Sequence, residues 1–242
     1  MDSLLSEIQA NFDAVKARVN DAAKKAGRNP DDVLILAVTK LQRNETILAA
    51  YEAGLRAFGE SYVEEALPTM EALAQLKEAR WEMVGHIQSR KAKLAANAFS
   101  RIHSLSSLKL ARLLDKHRDP ELGPLEVLLQ VNLSGEDSKQ GIEATDKKAW
   151  AEVLAIAKGV KQFKNLKLIG LMTMPPLFDD PEHNRPFFKL LRELRDYLND
   201  QEPSLQLKEL SMGTSHDFEV AVEEGASIVR LGSVLLGARV LK

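Results

Sequence analysis

The sequence predicts a closed parallel (β/α)8 barrel of the TIM type, and three observations predict it. Short apolar runs alternate with amphipathic stretches, giving eight strands separated by seven helices, the pattern of right-handed βαβ crossovers feeding a parallel sheet. These units occupy roughly 200 residues, which suits a fold that typically fills about 250 residues as one domain. The first strand runs into Lys40-Leu41-Gln42-Arg43, without a glycine, so the phosphate loop expected of an open doubly wound dinucleotide-binding sheet is missing.

The elements follow in order. Leu4, Leu5, Ile8, Phe12, Val15 and Val19 recur at helical spacing over 4–26, and Gly27 closes that helix. Residues 33–40, Val-Leu-Ile-Leu-Ala-Val-Thr-Lys after Asn-Pro-Asp-Asp, make a strand buried on both faces. A helix over 44–53 stops at Gly54, and a strand over 56–59 exits through Glu60-Ser61-Tyr62. Helix 63–78 and strand 80–85 lead to the loop His86-Ile87-Gln88-Ser89. Next come helix 91–99, strand 101–105, helix 107–116 and strand 125–133, whose loop 134–141 enters a helix over 145–161. Strand 166–174 stops at Pro175-Pro176, ahead of an amphipathic helix over 184–199. Strand 206–212, helix 218–224 and strand 227–231 complete the set, so the chain 1–242 reads as one domain. With little sequence left after the eighth strand, the extra N-terminal helix is expected to cover the face that an eighth helix normally covers.

Composition narrows the function. At 45% hydrophobic and 28% charged residues the chain has ample material for a core, and a net charge of −2 with a pI near 6.3 argues against general nucleic-acid or anionic-membrane binding. The absence of cysteine excludes disulfides, thiolate metal sites and thiol nucleophiles. The acidic, amphipathic start Met-Asp-Ser-Leu-Leu-Ser-Glu is unlike a signal peptide, and no apolar run approaches membrane-spanning length, so a soluble cytoplasmic protein is expected. The five histidines show no metal-ligand spacing.

In a barrel the strand-end loops converge on one rim. Side chains alternate along a strand, so Lys40 shares the face of Leu34, Leu36 and Val38 and offers its amine at the carboxyl end. The same rim carries Glu60, Ser61, Tyr62, His86, Gln88, Ser89, Asn132, Met172 and Thr173. Ser211-Met212-Gly213-Thr214-Ser215 and Leu231-Gly232-Ser233 follow strands seven and eight, where barrels frequently hold a phosphate on backbone N–H groups; ordinary tight turns are the competing reading. Arg230 shares a face with Ile228 and Gly232 and is expected inside the barrel mouth beside Lys40, where a fixed positive charge favours the neutral, nucleophilic amine. An amine, a phosphate cradle and an arginine around one cavity are what pyridoxal 5′-phosphate (PLP) requires.

The motifs Ala37-Val38-Thr39-Lys40, Phe58-Gly59-Glu60, Gly85-His86-Ile87-Gln88-Ser89-Arg90-Lys91, Val131-Asn132, Lys139-Gln140-Gly141, Gly170-Leu171-Met172-Thr173-Met174, Leu210-Ser211-Met212-Gly213 and Val229-Arg230-Leu231-Gly232 span nearly the whole chain. In these the sequence resembles the pyridoxal phosphate homeostasis protein family (YggS/PROSC type), which is similar to the N-terminal barrel of alanine racemase, a fold-type III PLP protein. The resemblance implies that Lys40 is the Schiff-base lysine, that Arg230 faces the pyridine nitrogen, and that Ser211, Gly232 and Ser233 hold the phosphate. Gly213, Met172 and Asn132 complete the expected cofactor-binding set. It also implies a monomeric protein that holds PLP and keeps its free level in range, with PLP-dependent apoenzymes as candidate recipients. Ser61 departs from the family's usual asparagine, which removes the expectation of a cofactor contact there.

Strong catalysis is not expected. Racemisation needs acid/base groups on both faces of the substrate adduct; the opposing tyrosine of alanine racemase comes from a further domain of a partner subunit, and Tyr62 is the one tyrosine of this chain on the rim. An arginine at the ring nitrogen, having no acceptor, leaves that nitrogen unprotonated and the ring a weak electron sink. The alternatives are a fold-type III enzyme, an amino-acid racemase or decarboxylase, and a barrel aldolase using Lys40 on a sugar phosphate. Lys139, in the loop after the fifth strand, is a candidate gate or second aldehyde-reactive amine.

Overall fold

A computed structural model describes residues 2–136 and 139–238. It opens with helix α1 (Asp2–Lys25), then strand β1 (Leu34–Val38), α2 (Asn44–Glu52), β2 (Ala57–Glu60), α3 (Val63–Ala72), β3 (Arg80–Met83), α4 (Ala92–Ala98), β4 (Arg101–Leu105), α5 (Leu108–His117) and β5 (Leu125–Asn132). The second half runs β6 (Ile142–Glu143), α6 (Trp150–Lys161), β7 (Leu166–Thr173), α7 (Arg185–Gln201), β8 (Glu209–Ser211), α8 (Phe218–Glu223), β9 (Ile228–Leu231) and α9 (Ser233–Leu236). β1 pairs in parallel with both β2 and β9, and β4 pairs with β5, so eight strands close into a barrel. The closed barrel foreseen from strand and helix alternation is the fold observed.

Several boundaries differ from the sequence expectation: α3 stops at Ala72 rather than near 78, and three departures fall in the second half. The two-residue β6 adds to β5 outside the ring, in a stretch expected to be loop, and two residues of loop 134–141, 137 and 138, lie outside the described residues. Helix α6 begins at Trp150 rather than near Thr145 because Asp146 Oδ1 accepts from the N–H groups of Lys148 and Ala149, closing a turn there. β8 starts late because Gln206 takes a left-handed φ of 51°, which no strand residue can hold.

The core lies in two shells. Leu36, Ala57 and Ile228, with Leu34 and Val84, fill one part of the barrel interior, and Leu128, Ile169 and Met172 fill another. The larger shell, between strands and helices, includes Phe58, Phe99, Leu114, Phe188 and Phe218. α1 buries Ile8, Val15, Val19, Ala22 and Ala23 against it and packs on α2, α8 and α9. Its Arg18 guanidinium pairs with Glu219, and Arg28, just beyond it, donates to the carbonyls of Val222 and Ala226. The opening helix thus covers the outer face beside α8. No helix of the described residues is long and apolar enough to cross a membrane.

Candidate functional site

The carboxyl ends of the strands surround a cavity of about 910 Å³. β1 ends at Val38, and Thr39 continues the ladder through its N–H to the Gly59 carbonyl, so Lys40 sits in the turn just past the strand, at the cavity wall. Leu41 adopts a φ of 60°, turning the chain away immediately behind it. Leu34 and Leu36 point into the interior cluster while Val38 and Lys40 line the cavity above it, the alternation that a strand imposes.

Leu36 is the register partner of Arg230, which places that guanidinium one strand away. Arg230 is only 4% exposed, and Nη1 donates to Ser211 Oγ at 2.7 Å. Its Nη2 donates to the Thr173 carbonyl at 2.9 Å and to Met174 Sδ at 3.0 Å. Among the described residues these bonds take three of the five guanidinium N–H groups and leave the Nε–H and one Nη1–H. Burial lowers the arginine pKa to about 10, against the pull of Asp217, so the group is still a cation at neutral pH.

The loops after β8 and β9 meet at Ser215. Its Oγ accepts from the backbone N–H of Gly232 at 3.2 Å and, more weakly, of Val234 at 3.5 Å. Asp217 fastens the loop below: its Oδ1 accepts from the N–H (2.6 Å) and hydroxyl (2.9 Å) of Thr214, and its Oδ2 from Asn184 Nδ2 (2.7 Å). Gly213 turns there with a φ of 90°, and a Cβ on it would meet Ala221 Cβ at 2.6 Å. Backbone donors converging on a hydroxyl at a cavity wall form a place where an oxyanion could sit.

Of the residues expected to contact a cofactor, Lys40, Met172, Arg230, Gly232 and Ser233 line this one cavity. Ser211, Gly213 and Asn132 are not among its lining residues. Ser211 is fully buried beneath Arg230, and Gly213 accepts the Arg230 N–H through its carbonyl. Asn132 ties down the following loop, accepting from the N–H and hydroxyl of Ser134 and donating to the Glu136 carbonyl. Lys139 donates to the Pro175 carbonyl at 3.0 Å, bridging two rim loops. Tyr62, half exposed, and His86 belong to the wall. No group of three or more His, Cys, Asp or Glu capable of holding a metal occurs among the described residues.

Two further buried carboxyl groups, besides Asp217, stand near the site. Glu60 accepts from the Thr39 hydroxyl at 2.6 Å; burial raises its pKa to about 7, with that hydrogen bond and Lys40 pulling down and Glu65 pushing up. Glu82, in the barrel interior, bonds to His103, a pair the sequence reading did not single out. The signal was present: Arg80-Trp81-Glu82-Met83 and Arg101-Ile102-His103 each put a polar side chain on the strand face that points inward.

Comparison with known proteins agrees in family and fold. The family described as alanine racemase, N-terminal domain, matches residues 10–240. A pyridoxal phosphate homeostasis protein of Pseudomonas aeruginosa is 43% identical over 235 residues, covering 97% of both chains. One from Aquifex aeolicus is 40% identical over 225 residues, 93% of this chain and 95% of the relative. Among solved structures, PipY of Synechococcus elongatus PCC7942 with PLP bound superposes with a TM-score of 0.83 at 31% identity, over 95% of this chain and all of that one (100%). Alanine racemase of Clostridium difficile 630 shares the fold, with a TM-score of 0.66 at 12% identity, this chain spanning 56% of its length.

Proposed function

Since the chain belongs to the pyridoxal phosphate homeostasis protein family, built on the N-terminal barrel of alanine racemase, we propose that it binds PLP in the strand-end cavity and serves intracellular vitamin B6 homeostasis without strong catalytic activity. The observation that carries this reading is that Lys40, Arg230 and the amide cluster at Ser215 face one cavity. When bound, PLP supplies an aldehyde that an amine takes as a Schiff base; of the two lysines at this wall, Lys91 pairs with Glu64, and Lys40 at the end of β1 is the amine assigned to that role. An unengaged N–H of Arg230, on Nε or Nη1, would be the donor for the pyridine nitrogen. The Ser215 hydroxyl, which the Gly232 and Val234 amides orient, and the Ser233 hydroxyl would be the donors for the phosphate, with Gly232 and Met172 lining the same cavity. Ser211 and Gly213 act from beneath, by holding Arg230, and Asn132 acts by fixing the rim loop.

Arg230 also argues for carriage over turnover. Its two terminal nitrogens are pinned, it accepts no proton, and it therefore stabilises an unprotonated ring nitrogen, the weaker electron sink. We further read residues 1–242 as a single domain acting as a monomer in the cytoplasm, exchanging PLP with the free pool and with PLP-dependent apoenzymes.

The test is borohydride treatment of the purified, PLP-loaded protein followed by peptide mapping, with Lys40→Ala alongside. The expected outcome is a visible absorption band abolished by borohydride, a pyridoxyl group on Lys40, and no trapped cofactor in the variant. A protein that stays colourless and takes up no added PLP would overturn the reading and leave a sugar-phosphate barrel in its place.

A further inference from the structure

Between the two apolar clusters of the barrel interior runs a string of polar side chains that an all-apolar filling would not need. Arg230 Nη1 donates to Ser211 Oγ at 2.7 Å, Ser211 Oγ lies 2.8 Å from His103 Nδ1, and His103 Nε2 lies 2.7 Å from Glu82 Oε2. The string continues to Arg101, whose Nη1 is 3.5 Å from Glu82 Oε1. His103 and Ser211 are 0% exposed and Glu82 is 1% exposed, so bulk water does not reach these bonds.

The donor and acceptor inventory allows one proton arrangement. Arginine accepts nothing, so the Ser211 hydroxyl must receive the Arg230 N–H and send its own proton the other way, to His103 Nδ1. Nδ1 is then the bare nitrogen and Nε2 carries the hydrogen, which it gives to Glu82. Glu82 is a carboxylate in this arrangement, as its ion pair with Arg101 requires. The opposite tautomer would leave the Ser211 proton with no acceptor in a dry interior, a costly defect. The groups bearing on the pair agree. Burial, Arg230 and Arg101 hold His103 neutral, while His103, Arg101 and Arg80 keep Glu82 ionised despite its burial.

We propose that His103, locked in one tautomer by Glu82, is the positioning residue that aims Arg230 at the ring nitrogen of bound PLP, so that a carboxylate buried in the barrel sets how tightly the cofactor is held. This rests on the functional reading above. His103 is fully buried and is not among the residues lining the cavity; it acts through Ser211, whose single hydroxyl proton makes the string directional.

Two measurements test it. The first, 15N NMR of the imidazole in the cofactor-free protein, does not depend on PLP. The expected result is a protonated Nε2 and an unprotonated Nδ1 for His103, with the ring neutral at neutral pH; the reverse tautomer or an imidazolium at that pH would overturn the proposal even if every variant failed to fold. The second compares Glu82→Gln and Ser211→Ala with the unmodified protein in PLP equilibrium binding and absorption spectra. The carboxamide introduced by Glu82→Gln can donate to His103 Nε2 and release the tautomer, so the dissociation constant should rise about tenfold and the absorption band should shift, with Lys40 still trapped by borohydride. A folded Glu82→Gln protein with unchanged affinity and spectrum would overturn the proposal while leaving PLP binding intact. If the unmodified protein binds no PLP, the functional reading fails instead, and this inference with it.

Discussion

At Glu60 burial and hydrogen bonding pull in opposite directions, and burial wins. Its pKa of about 7 in the folded protein lies above the ordinary value of 4.5, so the folded state holds the proton more tightly than the unfolded chain. Stability on this account is greatest below the unfolded pKa and declines as pH rises from about 4.5 to 7, by roughly 3 kcal/mol if the full shift is expressed. Glu60→Gln keeps an oxygen for the Thr39 hydroxyl and removes the titration. Urea unfolding should show the variant more stable than the parent at pH 8 and nearly equal at pH 4; equal differences at both would mean Glu60 is not the titrating group. Legibility at this scale was uneven. Lys40 and Arg230 were readable because strand alternation fixes a face from sequence alone. Of the serines in Ser211-Met212-Gly213-Thr214-Ser215 the sequence pointed to Ser211, whereas Ser215 is the one at the cavity wall, because which one reaches it depends on the turn at Gly213. Glu82 and His103 were missed because a buried polar pair makes sense only once both strands are known to face the same interior.

The elements show where sequence patterns hold and where tertiary contacts override them. Strand β4 and the start of α2 match expectation because apolar runs and breakers agree there. β6 has no such signal: two residues cannot show a period, and it forms because Val131 and Asn132 of β5 extend beyond the ring and leave an edge to pair with. Gly170, within β7, carries a demand no propensity reveals. It is the register partner of Glu209 on β8, and a Cβ built on it would lie 2.0 Å from the Glu209 carbonyl oxygen. Backbone cannot yield as a side-chain tip can, so Gly170→Ala must push β8 away from β7. The expected cost is about 1 to 3 kcal/mol, read as a lower urea midpoint. A slackened β8 also carries Ser211, and PLP affinity should fall with it. An unchanged midpoint would show that the two strands have room to part.

At the scale of the whole molecule, the question is whether α1 is an appendage or part of the barrel. It precedes the first strand, yet the outer layer is incomplete without it: Ile8, Val15, Val19, Ala22 and Ala23 are buried, and its contacts reach α2, α8 and α9 at once. Asn11 donates to the Leu235 carbonyl, and Lys25 pairs with Glu223, so polar contacts joining distant parts of the sequence sit along the same seam. The surface ion pairs add little individually; the buried apolar face carries the attachment. Val15→Asp therefore places an unpaired carboxylate under the helix, at a cost of about 3 to 5 kcal/mol. If α1 is integral, far-UV circular dichroism and the emission of Trp81 and Trp150 should be lost in one coincident transition, in the parent and, at lower urea, in the variant. A variant that loses helical signal first, while tryptophan emission and PLP binding hold, would identify α1 as a detachable arm and the barrel as sufficient alone. The geometry favours coincidence, because α1 touches α2 from the start of the barrel and α8 and α9 from its end, so releasing it exposes the seam where β1 pairs with β9, beside Lys40 and Arg230.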